Sequence, residues 1–134
     1  MKYNAEYDKP RNYELPVPGP CKVKIIDAEE TVSQSGNPMV KLKCEVVRGQ
    51  IGQGHNLFDY VVDNPAVPEQ FNTKTGSIFR SCLTPIDDGD ITYQSFIGME
   101  GTVMIRHEDY KGMPTAKLYY WIDPEQNKED TIPF

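Results

Sequence analysis

Between residues 21 and 122, apolar and polar residues alternate in short runs that are separated by clusters of glycine, proline, serine, asparagine and aspartate. In residues 22–28, Val23 and Ile25 point one way while Lys22 and Lys24 point the other, the two-residue period of a strand. Ser33-Gln34-Ser35-Gly36-Asn37-Pro38 is a dense turn signal. After it, residues 39–46 alternate more cleanly: Val40, Leu42, Cys44 and Val46 form an apolar face, with Lys41, Lys43 and Glu45 opposite. A glycine-rich loop over 48–54 leads into a third strand over 55–62, rich in Phe, Tyr and Val. There the period leaves the buried face open. Phe58 and Tyr60 share one side, but Leu57 and Val61 make the other nearly as apolar.

A proline-marked loop over 63–68 breaks the strand pattern. Residues 72–83 predict a short helix with Phe79 and Leu83 one turn apart, although Gly76 weakens it. Asp87-Asp88-Gly89-Asp90 turns the chain, and residues 92–96 predict a single helical turn before Gly98. A fourth strand over 102–108 sets Val103 and Ile105 inward against Met104, Arg106 and Glu108. Residues 110–114 predict a hairpin loop. A fifth strand over 115–122 alternates Ala116, Leu118, Tyr120 and Ile122 against Lys117, Tyr119 and Trp121.

Five strands with a helix between the third and fourth give an all-β chain with the layout of a five-stranded OB-fold barrel. A five-stranded sandwich or an SH3-like barrel gives similar local signals. Ahead of the barrel, Pro10, Pro16, Pro18 and Pro20 are too dense for a helix interior or a central strand. They predict an extended arm laid on the domain by Tyr3, Tyr7 and Tyr13, with a disordered leader as the alternative. The expected organisation is an arm over 1–18, a barrel over 19–122 and an acidic, flexible tail over 123–134.

Composition narrows the class. The chain has 134 residues, 38% of them hydrophobic, enough for one domain with a modest core. No stretch approaches the roughly 20 apolar residues of a membrane helix, and Met1 to Glu6 lack the apolar core of a secretory signal. A cytoplasmic protein is expected. Cys21, Cys44 and Cys82 form no CxxC pair, and His55 and His107 are far apart, so zinc-site spacing is absent. The cysteines read as buried reduced thiols, and no metal or other cofactor is expected.

Catalysis is also not expected. Cys82 and the nearby Asp87, Asp88 and Asp90 suggest a nucleophile or a metal site, but neither histidine has a carboxylate at a suggestive spacing. Gly49, Gly52 and Gly54 are not followed by the Gly-Lys-Ser/Thr of a phosphate loop.

The net charge of −6 looks wrong for a nucleic-acid binder until it is resolved by position. Residues 123–134 hold Asp123, Glu125, Glu129 and Asp130 against Lys128, which is −4 + 1 = −3. Residues 1–122 hold the remaining 16 acids and 13 bases, also −3. A local basic face is compatible with that total, because a ligand feels the nearby field.

The chain ends Asn127-Lys128-Glu129-Asp130-Thr131-Ile132-Pro133-Phe134. Phe134 carries a ring and the α-carboxylate on one residue, so an apolar pocket beside a basic side chain can hold it. Pro133 stiffens the approach, and Glu129 and Asp130 attract a basic rim. This end resembles the C-terminal tip of bacterial and phage single-stranded DNA-binding proteins, an acidic run followed by Ile-Pro-Phe. The match covers Glu129, Asp130, Ile132, Pro133 and Phe134, with Thr131 in place of an acid. The resemblance implies a protein of a bacterial or phage-infected cell that binds and protects single-stranded DNA without sequence specificity. It also implies that the tip recruits partner proteins of DNA replication, recombination and repair.

Such binding needs cations along a groove and rings on which bases stack. In an OB-fold the surface is typically strands two and three with their flanking loops. Strand two offers Lys41 and Lys43, strand three Phe58 and Tyr60, and the last strand Lys117, Tyr119 and Trp121. Arg106, Tyr110 and Lys111 extend the surface around the final hairpin, and Arg48 lies at its other end. Each has a plainer alternative: Phe58 as core, Tyr119 and Trp121 packed on the arm or on a second subunit, and the lysines as a solvated face. The rival functions are a protein-only adaptor built on a small barrel and an RNA-binding, cold-shock-like barrel. A homo-oligomer, dimer or tetramer, is expected, since one small barrel covers few nucleotides.

Overall fold

The alternating runs line the inside of one curled sheet. The computed structural model describes residues 1–5, 15–84 and 86–124. The strands are β1 (Gly19–Val32), β2 (Pro38–Val46), β3 (Asn56–Val62), β4 (Glu100–Tyr110) and β5 (Met113–Trp121). Helix α1 (Pro68–Ser81) and a 3-10 turn, Tyr93–Phe96, lie between β3 and β4. Neighbouring strands all pair antiparallel, in the order β3-β2-β1-β4-β5, and the sheet curls into a half-barrel.

Val23 and Ile25 of β1, Leu42 and Cys44 of β2, Leu57 and Val61 of β3, and Val103 and Ile105 of β4 all face inward. Ile78 and Phe79 of α1 close over them, and Phe79 packs on Phe96 with ring centroids 5.5 Å apart. The ambiguity in β3 is thereby resolved: Leu57, Asp59 and Val61 are buried, while Phe58 and Tyr60 face out.

Two bulges shape the sheet. In β1 the pairing slips between Ile25 and Asp27, so Ile26 is the extra residue and Ala28, rather than Asp27, returns to the core. A bulge bends and twists its strand, and here it lets β1 serve β2 along its length and β4 at its start. In β5 the slip falls where Met104 pairs with Tyr120 and Ile105 with Leu118, leaving Tyr119 extra. This overturns the expected phase of the strand. Tyr119 and Tyr120 both face outward and Trp121 turns inward, 4% exposed.

The sheet edges β3 and β5 meet without a ladder. The Trp121 indole N–H donates to Asp59 Oδ2 at 2.8 Å across that seam. Asp59 Oδ1 accepts from the Lys74 ammonium of α1 at 2.9 Å and from the Tyr60 backbone N–H at 2.9 Å. A carboxylate that is only 8% exposed needs such donors, because burial without them is costly.

The helix starts four residues earlier than the sequence suggests, since Pro68 is tolerated in its first turn. It also stops at Ser81, short of Leu83, which has positive φ and is exposed. Ser81 fixes that end: its hydroxyl donates to the Thr102 carbonyl at 2.8 Å and accepts the Thr102 N–H at 3.0 Å. Gly101 permits this approach, because a Cβ there would lie 2.8 Å from Cys82 Sγ. Arg80 pairs with Asp123, so Asp123, assigned to the tail by sequence, is buried against α1. The predicted five-residue hairpin loop is a two-residue turn, Lys111-Gly112, both with positive φ as such turns require.

Of the proline-rich arm, Leu15 packs on the core and Pro16 is buried. His107 Nε2 lies 2.7 Å from the Pro16 carbonyl, and Gly52 sits against the Pro16 backbone. Tyr3 is exposed; Tyr7 and Tyr13, and the tail from Glu125 to Phe134, lie outside the described residues. No helix among the described residues is long and apolar enough to cross a membrane.

The three cysteines are free. Burial pushes the Cys44 thiol up to about 12, with the Asp59 carboxylate and Cys82 adding to it, and burial alone pushes Cys82 up to about 11. Both remain thiols at neutral pH, so iodoacetamide at pH 8 is expected to modify the folded chain far more slowly than the urea-unfolded chain.

Trp121→Phe removes one donor to Asp59 and is expected to cost about 1–3 kcal/mol in urea unfolding. Gly52→Ala combines a left-handed φ of +84° with a Cβ driven into the Pro16 backbone. It is expected to cost about 1–3 kcal/mol and to exceed Gly36→Ala, where φ is +86 but nothing lies within 4 Å.

Candidate nucleic-acid interface

Alternation along β2 and β3 places cations and rings side by side on the outside of the sheet. Lys41 stands opposite Tyr60 and Lys43 opposite Phe58. The Lys41 ammonium lies 4.9 Å from the centroid of the Phe58 ring. Phe58 and Tyr60 are 44% and 46% exposed, so both rings reach solvent. On the other side of β2, Asp27 and Glu29 of β1 stand opposite Lys43 and Lys41. Among the described residues neither lysine forms an ion pair with them. The acids bound this patch on its β1 side.

A second patch lies on β4 and β5. The Arg106 guanidinium stacks 3.6 Å from the Tyr119 ring centroid, and Tyr119 meets Tyr120 edge to face at 5.5 Å. Arg106 stands directly opposite Lys117. Like charges opposed across a ladder are unfavourable on their own, and Glu108 lies two residues on from Arg106 along the outer face of β4. At the hairpin tip, Lys111 lies 5.4 Å from the Tyr110 ring, and Tyr110 faces Met113 across the turn.

Each patch includes one of the two strands tied together by Asp59 and Trp121, β3 in the first and β5 in the second. Because side chains alternate, Phe58 and Tyr60 flank Asp59 on the outside of β3, while Tyr120 precedes Trp121 on the outside of β5. Rings of β3 and β5 thus flank the seam, with Lys41 and Lys43 one strand behind on β2, Arg106 one strand behind on β4, and Lys117 on β5 itself.

Of the sequence-derived candidates, Lys41, Lys43, Phe58 and Tyr60 come together on one bank, and Arg106, Lys117 and Tyr119 on the other. Tyr110 and Lys111 stand apart at the tip of the β4–β5 hairpin. Arg48 is exposed in the β2–β3 loop, beyond the Glu45–Asn56 end of the ladder. Trp121 is a correction: the bulge at Tyr119 turns its ring into the core, where it organises the seam and offers no face to a base.

Two residues of the seam do not emerge from the sequence pattern. Strict alternation sets Tyr120 inward, yet it is 45% exposed beside Tyr119. The signal for it is the run Tyr119-Tyr120-Trp121, three rings where a strand should alternate. The signal for Asp59 is a lone acid between Leu57 and Val61 on an apolar phase. Such an acid must be paired inside.

His55, beside the glycine loop, has its pKa lowered by burial. It therefore favours the neutral ring, which is a poor phosphate contact. Among the described residues no group of three or more His, Cys, Asp or Glu side chains is arranged to hold a metal ion.

No curated protein matches the sequence. From residue 4 to residue 119, from the arm into the last strand, the chain matches the family described as Protein of unknown function (DUF669), and it belongs to that family.

Proposed function

We propose that this chain binds single-stranded DNA without sequence preference along the seam between β3 and β5, and that its C-terminal tip recruits proteins of DNA replication, recombination and repair. The observation that carries the reading is the pairing of cations with exposed aromatic rings on either side of the seam: Lys41 with Phe58, and Arg106 with Tyr119. Unpaired DNA presents a charged backbone and exposed base faces, and this surface answers both. Arg106 adds a further flat plane to the Tyr119 stack, since guanidinium planes stack on bases as rings do.

The strand count and the helix between β3 and β4 support an OB-fold reading, in which this outer face is the customary ligand surface. The tail resemblance, at Glu129, Asp130, Ile132, Pro133 and Phe134, supports the recruiting role. Those five residues lie outside the described residues. Joining two or four chains multiplies the contacts along one strand, which favours a dimer or tetramer as the working form.

The test is a titration with oligo-dT and with duplex DNA at two salt concentrations, with the single strand expected to bind tighter. Phe58→Ala and Tyr119→Ala are each expected to weaken oligo-dT binding by about 1–3 kcal/mol and to leave the salt dependence unchanged. Lys41→Ala with Lys43→Ala is expected to flatten the log–log salt slope by about 0.7 for each phosphate that is no longer neutralised. Equal affinity for both DNA forms, or none for either, overturns the reading and leaves the adaptor. Deleting residues 125–134 is expected to raise oligo-dT affinity at low salt, because an anionic segment competes for the same cations.

A further inference from the structure

A second surface carries the opposite chemistry. Beside the β1–β2 hairpin a cavity of about 310 Å³ opens between β3 and α1, walled by Val40, Val61, Phe71, Ile91 and Phe96 and bearing Glu30 and Asp63. A cavity of about 290 Å³ between α1 and the loop before the 3-10 turn shares Phe71 and Ile91 with it and adds Asp87 and Asp88. The two cavities adjoin at Phe71 and Ile91, and each has apolar side chains and two carboxylates in its lining; together they make up the groove beside α1. Among the described residues no Lys or Arg lines either cavity. All four acids are exposed, and among the described residues none is ion-paired.

The chemistry selects the occupant. Four unpaired carboxylates repel a phosphate backbone, so the groove is unsuited to nucleic acid. A purely apolar ligand gains nothing from them. A chain segment with one or two apolar anchors and flanking Lys or Arg satisfies both the apolar lining and the carboxylates, and the volume suits side chains rather than a folded element.

We propose that this groove docks a basic peptide segment of a partner protein, anchored by an aliphatic or aromatic side chain against Phe71 and Ile91. None of Lys41, Phe58, Arg106 and Tyr119 lines either cavity, so the site is distinct from the seam. The molecule then has two opposite electrostatic addresses, which is how a chain of net charge −6 can serve an anionic and a cationic ligand together.

The test selects a displayed random peptide library, about twelve residues long, on the immobilised full chain, then measures a selected, fluorescein-labelled peptide by anisotropy. Selected peptides are expected to combine Leu, Phe or Trp with Lys or Arg. Binding is expected to weaken about tenfold or more in Glu30→Lys with Asp63→Lys, and likewise in Asp87→Lys with Asp88→Lys. Because these side chains are exposed, both variants are expected to fold; thermal melting checks this, and either variant alone suffices. Oligo-dT is expected not to displace the peptide, and neither variant is expected to lose oligo-dT affinity. The proposal is overturned if no peptide is enriched, if the enriched peptides lack basic residues, if both charge reversals bind as the parent does, or if oligo-dT competes. Loss of DNA binding by the parent chain with peptide binding intact contradicts only the DNA reading.

Discussion

The carboxylate of Asp59 sits where three elements meet, accepting from Trp121 of β5, Lys74 of α1 and the backbone that follows it in β3. An open sheet of five strands leaves two edges, and edges are where sheets fray or pair with strangers. Here the edges are drawn together by one charged acceptor and one ring, without a hydrogen-bonded ladder. Such a joint depends on few donors, so each matters more than an average bond. It also decides what faces outward. Turning Asp59 and Trp121 inward commits Phe58, Tyr60 and Tyr120 to the opposite side.

Charge is arranged by face rather than by total. On the outside of the sheet Lys41 and Lys43 of β2 stand beside the rings of β3, and Arg106 and Lys117 beside those of β5, interspersed with Glu45 and Glu108; Asp27 and Glu29 of β1 face the β2 lysines. Glu30, Asp63, Asp87 and Asp88 gather around the apolar groove beside α1. Under the two proposals, a screening length of about 8 Å in physiological salt limits the interference between the surfaces.

Much of the sheet can be read from the sequence because its core obeys a two-residue period. The inward set Val40, Leu42, Cys44 and Val46 on β2 is legible because nothing interrupts the alternation there. The end of β5 departs from its expected phase because one extra residue inverts every side chain beyond it, and no local propensity marks Tyr119 as that residue. The helix is displaced because Pro68 resembles a loop signal yet is a good first-turn residue, while Leu83 has helical spacing but lies past a terminus fixed by Ser81 and Thr102. Of the candidate site, the residue types and their strands are legible. The seam itself is not, because it depends on a hydrogen bond between Asp59 and Trp121, which are 62 positions apart. The groove beside α1 is likewise hidden, since its walls come from segments scattered between Glu30 and Phe96.

The central claim is that unpaired bases lie on the rings along the β3–β5 seam. The most direct measurement is photo-cross-linking of the full chain to a single-stranded oligonucleotide carrying 5-bromodeoxyuridine, with adduct sites mapped by mass spectrometry. The account predicts adducts at Phe58, Tyr60, Tyr119 and Tyr120. Adducts confined to Phe71 in the acidic groove, or no adducts at saturating oligonucleotide, would contradict it.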